Sequence, residues 1–325
     1  MNRSYGNAVR LALAAAAAVL LYLALFGEAP VRQTKQEEIR VQMIVRSSQS
    51  DYWHTVSLGA EAAAREFGIS LNQVAPSSEG DAGGQLRQAE EALLSKPDAI
   101  VLAANEDAAF GPFLTDAEKK RIPVIAIDSL LTSGKTETYI GIDNELAGRE
   151  AVRQLNALLG EKGNIGLLAY ANGGINGKLR EAGARKAAQQ AAGLKLVDFR
   201  TCGEGDCEQA AGELLDENRL DGLVALNATA SEGAARELKR RGIAGGVKLV
   251  GFDSSPELLE LLQEGYIQKL VVQNPFSMGY LGVKQAIEAA SGRRLPERTE
   301  MDTAIIDKDN LFWMKNQKLL FPVVQ

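Results

Sequence analysis

The chain has 325 residues, enough for two domains of ordinary size, and 46% of them are apolar, which is the balance of a globular protein with a core. Acidic residues outnumber basic ones by 42 to 36, giving a net charge of −6. That balance disfavours a nucleic-acid partner, because phosphate binding needs a basic face. One histidine, His54, and two cysteines, Cys202 and Cys207, are too few and too scattered for a His/Cys metal site. No G-x-S-x-G elbow supports a triad built on His54. No catalytic, metal or cofactor site is therefore expected.

In chain order, Arg3 and Arg10 come first, ahead of an unbroken apolar run from Leu11 to Phe26, "LALAAAAAVLLYLALF". A basic start followed by an apolar segment is an export signal. At ~1.5 Å per residue the run is roughly 24 Å long, slightly short of a ~30 Å hydrocarbon core, and Arg10 can snorkel to extend it. We read 1–27 as an uncleaved membrane anchor, with a cleaved signal as the alternative. Residues 28–37 are a polar tether. Either reading leaves the body extracytoplasmic, anchored to the cell membrane or periplasmic.

From Ile39 onward, short apolar runs alternate with helical stretches. "VQMIV", "SLNQVA", "AIVLAA", "PVIAID", "TYIGI", "IGLLAY", "KLVDF", "GLVAL", "KLVGFD" and "KLVVQ" read as strands. Continuous Val/Ile/Leu runs are buried on both faces, and alternation with helices predicts parallel, doubly wound sheets. The pattern repeats: "EALLSKPDAIVLAAN" (91–105) is similar to "ELLDENRLDGLVALN" (213–227), and "IPVIAIDS" (122–129) to "VKLVGFDS" (247–254). The expected fold is α/β, with two similar doubly wound parallel-sheet, Rossmann-like lobes.

Open α/β sheets bind ligands at strand C-termini, where Asn105, Asp128, Asn227, Asp253 and the turn "SSQSDYW" all fall. Tyr52 and Trp53 are either a flat wall for a ligand or a plug on the core. Asp128 and Asp253 are either ligand contacts or helix N-caps, since Asp-Ser ahead of a helix is a standard cap. His54 is expected to be structural or solvent-facing. "ANGGINGKL" (171–179) fails as a phosphate loop, because Leu179 stands where a Ser/Thr is needed for magnesium, and reads as a flexible loop lining the cleft. "GEKGNIG" (160–166) precedes a strand and is a helix stop rather than a dinucleotide site. Cys202 and Cys207 enclose only "GEGD", and outside the membrane two close cysteines form a disulfide. An inventory of Asp, Asn, Gln, Lys, Ser and paired aromatics suits a sugar. Sugar hydroxyls both donate and accept, and the C–H faces of the ring stack on aromatic rings.

From Ile39 to Ile306 the chain resembles the ribose-type sugar-binding proteins of ABC transporters, which have the type I periplasmic binding fold. The pieces that carry the resemblance are "IVRSSQSDYWHTVSLGAEAAAREFGI", "DAIVLAANEDAAF", "IPVIAIDS", "YIGIDNELAGREA", "LVALNATASEGAARELKRRGI", "LVGFDSSPELLELLQEG" and "KLVVQNPFSMGYLGVKQA". The resemblance implies ligand contacts from Tyr52 and Trp53, from Ser50 or Gln49 ahead of them, and from Asp128, Lys178, Asn227, Asp253 and Gln273, and Ser129 beside Asp128 is a further expected contact. Two departures count against ribose itself: Ser129 and Lys178 stand where such proteins carry arginines, and a lysine cannot mimic a bidentate guanidinium. No aromatic stands near Asp206.

The resemblance also implies a three-strand hinge, with crossings near Asp143, Gln273 and Glu300. The N-terminal lobe is then 38–143 plus 274–299, and the C-terminal lobe 144–273 plus 300–313. The tail 314–325 has no assignment. The implied function is that of a monomeric, non-enzymatic solute-binding protein that delivers a small sugar-like ligand to an ABC permease. The alternative is a membrane-anchored sensor that presents bound sugar to a histidine kinase or chemoreceptor.

Overall fold

The computed structural model describes residues 3–26 and 38–322. Residues Met1–Glu38 and Ile39–Gln325 form separate compact units. In the first, helix α1 spans Arg3–Phe26. Among the described residues no helix is long and apolar enough to cross a membrane, so the expected anchor gains no support. The tether at 28–37 lies outside the described residues.

The second unit runs in chain order through β1 (Arg40–Ile44), α2 (Asp51–Phe67), β2 (Ser70–Val74), α3 (Ala82–Leu94), β3 (Ala99–Leu102), α4 (Gly111–Lys119), β4 (Val124–Ile127) and β5 (Thr138–Gly141). It continues with α5 (Asn144–Leu158), β6 (Gly163–Tyr170), α6 (Gly174–Gln190), β7 (Leu194–Cys202), α7 (Cys207–Glu217), β8 (Gly222–Ala225), α8 (Ala228–Arg241), β9 (Lys248–Phe252), α9 (Pro256–Glu264) and β10 (Lys269–Val272). It ends with α10 (Pro275–Ala290), β11 (Arg298–Glu300), β12 (Ala304–Ile306) and α11 (Met314–Leu320).

The strands form two six-stranded sheets, ordered β11-β5-β4-β3-β1-β2 and β12-β10-β9-β8-β6-β7. The two orders are the same once β1–β5 are matched to β6–β10, which is the internal repeat seen in the sequence. Every neighbouring pair is parallel except β10 with β12. Strands β3, β4, β5 and β8 are buried along their whole length, because helices cover both faces of each sheet. Each lobe accordingly has two apolar cores, one per face.

All ten strands read from the sequence are present. The two that were missed, β11 and β12, are three-residue edge strands, "RTE" and "AII", too short to stand out as strands. The chain passes between the sheets three times: from β5 into α5, from β10 into α10, and from β11 to β12. Within the tail 314–325, unassigned in the sequence, Met314–Leu320 form α11, and Leu319 and Leu320, with Leu311 ahead of them, join the core of the second lobe.

Helices α2 and α6 follow the matching strands β1 and β6, and each crosses a helix that enters from the other lobe, α10 and α5 respectively. Both crossings are made on glycines. A Cβ on Gly59 would collide with the Phe276 carbonyl and one on Gly279 with that of Val56. In the second lobe, Gly148 and Gly183 meet the carbonyls of Arg180 and Glu145 in the same way. These close approaches fix α2 and α6, whose N-terminal turns face the space between the sheets.

Candidate functional site

Asp128 and Asp253 occupy the same place in the repeat, one residue beyond β4 and β9. Both adopt the left-handed conformation, with φ of 60° and 68°. Their N–H groups donate to the carbonyls of Ile140 and Val271 on the next strand, each at 2.9 Å. Aspartate tolerates this region better than most residues, and the bend leaves both carboxylates lining one cleft between the lobes. Neither aspartate caps a helix. Ser255 caps α9, and the chain after Asp128 runs on to β5 without an intervening helix.

The start of α2 adds Ser50, Tyr52 and Trp53 to the cleft wall. The two rings meet edge to face with centroids 5.1 Å apart. The Tyr52 hydroxyl donates to Asp128 Oδ1 at 2.9 Å, and Trp53 Nε1 donates to Glu79 Oε1 at 2.7 Å. Trp53 is only 2% exposed and belongs to the core of the first lobe, so it both plugs the core and borders the cleft. Ser50 stands at the N-cap of α2 without a capping bond from its side chain. Gln49 borders the outer space rather than the cleft itself.

From the second lobe come Asn227, Asp253 and Gln273. Asn227 caps α8 by accepting from the Ala230 N–H at 3.0 Å, which leaves its amide nitrogen as the donor for a ligand. Gln273 Nε2 donates to Asp253 Oδ1 at 2.8 Å.

Two expected contacts are corrected. Lys178 is exposed and lies outside the cleft lining; Arg180, two residues further along α6, lines the cleft and is 5% exposed. Two residues turn a helix by roughly 200°, so the two side chains point to opposite faces. Ser129 is buried behind Asp128, to which its hydroxyl donates at 3.3 Å, and is not part of the lining. The stretch 171–179 does border the cleft, through Gly173, Asn176 and Gly177, but only 171–173 is a turn, and 174–179 are the start of α6.

The sequence reading missed Arg46, Glu79, Tyr170, Asn176 and Arg180, all of which line the cleft. Arg46 follows β1. It donates from Nε to Asn105 Oδ1 at 3.0 Å and pairs with Glu79 at 2.9 Å and with Asp128 at 3.7 Å. The hydrogen bonds that hold Arg180 run to neutral acceptors, Asn144 Oδ1 at 2.8 Å and the Leu226 carbonyl at 3.1 Å, and its guanidinium lies 4.5 Å over the Phe252 ring. Asn176 donates across the lobes to Asp128 Oδ2 at 2.8 Å. Tyr170, at the end of β6, gives the cleft a second-lobe aromatic.

Burial raises the pKa of Asp253 above its ordinary value, with Arg180 opposing the shift. Burial, reinforced by Asp128 and Asp253, holds the Tyr52 hydroxyl protonated well past the usual tyrosine range. Tyr52 is therefore a fixed donor, and the lining combines donors, acceptors and flat rings around a cavity of about 80 Å³. One water needs ~10–15 Å³ on the same measure, so the cavity takes a molecule several waters in size. Its charged lining is two guanidiniums, Arg46 and Arg180, and three carboxylates, Glu79, Asp128 and Asp253.

The lips of the cleft touch. Arg46 donates to the Asn172 carbonyl at 2.9 Å, and Ser78 Oγ donates to Glu204 Oε2 at 2.9 Å. Glu204 sits in the short loop closed by the Cys202–Cys207 disulfide.

The periplasmic binding protein domain family matches residues 41–294, most of the chain. The chain belongs to the periplasmic binding protein family. It is 25% identical over 278 residues to the D-allose-binding periplasmic protein of Escherichia coli, covering 82% of this chain and 89% of that one. It is 26% identical over 269 residues to the D-ribose/D-allose-binding protein of Pseudomonas aeruginosa, covering 79% and 84%. The fold is shared with a carbohydrate transporter solute-binding protein from Agrobacterium radiobacter solved with D-arabinose, at a TM-score of 0.82 and 28% identity, covering 88% of this chain and 99% of that one. A glucose-galactose binding protein from Geobacillus stearothermophilus superposes with a TM-score of 0.80 at 28% identity, covering 85% and 100%. The expected fold class and family resemblance both hold, and this periplasmic binding protein is a binding protein rather than an enzyme.

Proposed function

We propose that this periplasmic binding protein captures an uncharged monosaccharide between its lobes, outside the cytoplasm, and delivers it to an ABC importer. The carrying observation is the lining of the cleft. Asp128, Asp253, Asn227, Gln273 and Arg180 offer acceptors and donors in several directions beside Tyr52, Trp53 and Tyr170. A buried hydroxyl left unpaired costs about 1–3 kcal/mol, so a polyol needs a wall this dense in polar groups. The charge argues against an anionic sugar. Three carboxylates outnumber two guanidiniums, and Arg46 is already engaged by Glu79. The names of the relatives support an aldose, since they bind allose, ribose, arabinose, glucose or galactose. Both halves of the cleft come from one chain, which fits a monomer. The sensor alternative finds no support in these relatives, which are named for binding and transport.

A thermal-shift panel of D-allose, D-ribose, D-arabinose, D-glucose and D-galactose, with glucose 6-phosphate as an anionic control, tests the reading. At one hundred times its Kd a ligand stabilises the native state by about 2.7 kcal/mol. At least one neutral aldose is expected to raise the melting temperature while the phosphate does not. A flat response to every neutral sugar, or a shift with the phosphate alone, would overturn it.

A further inference from the structure

A vestibule of about 510 Å³ adjoins the cleft. Ser50, Tyr52, Glu79, Tyr170, Asp253 and Gln273 line both spaces, so a ligand seated in the cleft has one side facing the vestibule. The vestibule has its own character. Part of its wall is apolar, made by Leu319, Leu320 and Phe321 at the end of α11 together with Pro256 and Leu259 of α9. Asp51, Glu204 and Glu232 border it, and among the described residues no lysine or arginine does. A volume of this size is ordinary for a small-molecule site, whereas the inner cleft alone has room only for a compact polar ring.

Resting on the sugar reading above, we propose that the ligand is a glycoside. Its sugar ring fills the inner cleft, and an uncharged apolar substituent on the exocyclic anomeric oxygen occupies the vestibule against the α11 wall. A free monosaccharide would leave that wall against water. A phosphate or carboxylate substituent would face five carboxylates, Asp51, Glu79, Glu204, Glu232 and Asp253, with no lysine or arginine in the described lining to balance it, and burial already pushes the Glu232 carboxyl up. Phe321 is 52% exposed and can cover a flat substituent without rearranging the core.

The test is calorimetric titration of the full chain with each aldose of the panel and with its phenyl and 4-nitrophenyl glycosides. For the sugar that binds, one anomer of the aryl glycoside is expected to bind about tenfold tighter than the free sugar, the order set by burying one ring. Phe321→Ser, at an exposed position, is expected to remove that gain while leaving the Kd of the free sugar within about twofold. If the free sugar binds and both aryl anomers bind no better, the inference is overturned while the sugar reading stands. A gain that survives Phe321→Ser overturns the role given to the α11 wall. If neither sugar nor glycoside binds the folded protein, both readings fall.

Discussion

Asp253 is held in two unfavourable conditions in the free protein. Its backbone is left-handed, and its carboxylate is buried with no direct ion-pair partner among the described residues. Burial raises its pKa in the folded state. The stability this group contributes is therefore present below its unfolded pKa, near 3.8, and is lost as pH rises through the folded value. Asparagine keeps the left-handed bend and the acceptor for Gln273 but carries no charge. Asp253→Asn is expected to be more stable than wild type at pH 7, with the difference shrinking as pH falls towards 4, in urea denaturation run at several pH values. The same variant is expected to bind sugar about tenfold or more weakly, since a hydrogen bond to a charged acceptor is worth ~1.5–3 kcal/mol. Asp128 and Asp253 were legible in the sequence because the repeat places an Asp-Ser after matching apolar strands. Arg46 and Arg180 were not. Arg46 is simply the first residue past an apolar run, and choosing Arg180 over Lys178 requires the rotation of α6, which neighbouring glycines and alanines leave undefined in one dimension.

At the scale of elements, the glycine crossings hold the cleft in shape. Helix α6 carries Asn176 and Arg180, and its approach to α5 depends on Gly148 and Gly183. Gly183→Ala is expected to destabilise by about 1–3 kcal/mol through overpacking, and to weaken sugar binding as α6 moves away. A loss of stability with unchanged affinity would detach this crossing from the site. The Cys202–Cys207 disulfide acts on the opposite lip. Replacing both cysteines by serine is expected to lower unfolding free energy by about 2 kcal/mol, the entropy of a loop this short. It is also expected to speed sugar release in stopped-flow measurements, because Glu204 loses its fixed position facing Ser78. The ten main strands were plain in the sequence, since strands buried on both faces read as continuous apolar runs. Strands β11 and β12 and helix α11 were hidden for the converse reason. They are short, and their burial comes from docking onto a lobe rather than from their own pattern.

For the whole molecule, two matched lobes joined by three connections enclose a cleft, the arrangement from which hinge closure around a ligand is expected. Each lobe brings an aspartate bent into the cleft and aromatic rings, Tyr52 and Trp53 from the start of α2 and Tyr170 from the end of β6, and the bonds Arg46–Asn172 and Ser78–Glu204 tie the lips together. On the proposed reading, a sugar in the cleft replaces water at these groups with hydroxyls and lies against three rings, and its affinity is expected to depend on carboxylates from both lobes at once. The most direct measurement is isothermal titration calorimetry of the preferred aldose against wild type, Asp128→Asn and Asp253→Asn. The account predicts one site per chain in wild type and at least tenfold weaker binding in each variant, in proteins that remain folded. Undiminished binding in both variants would place the sugar somewhere other than the cleft and contradict it.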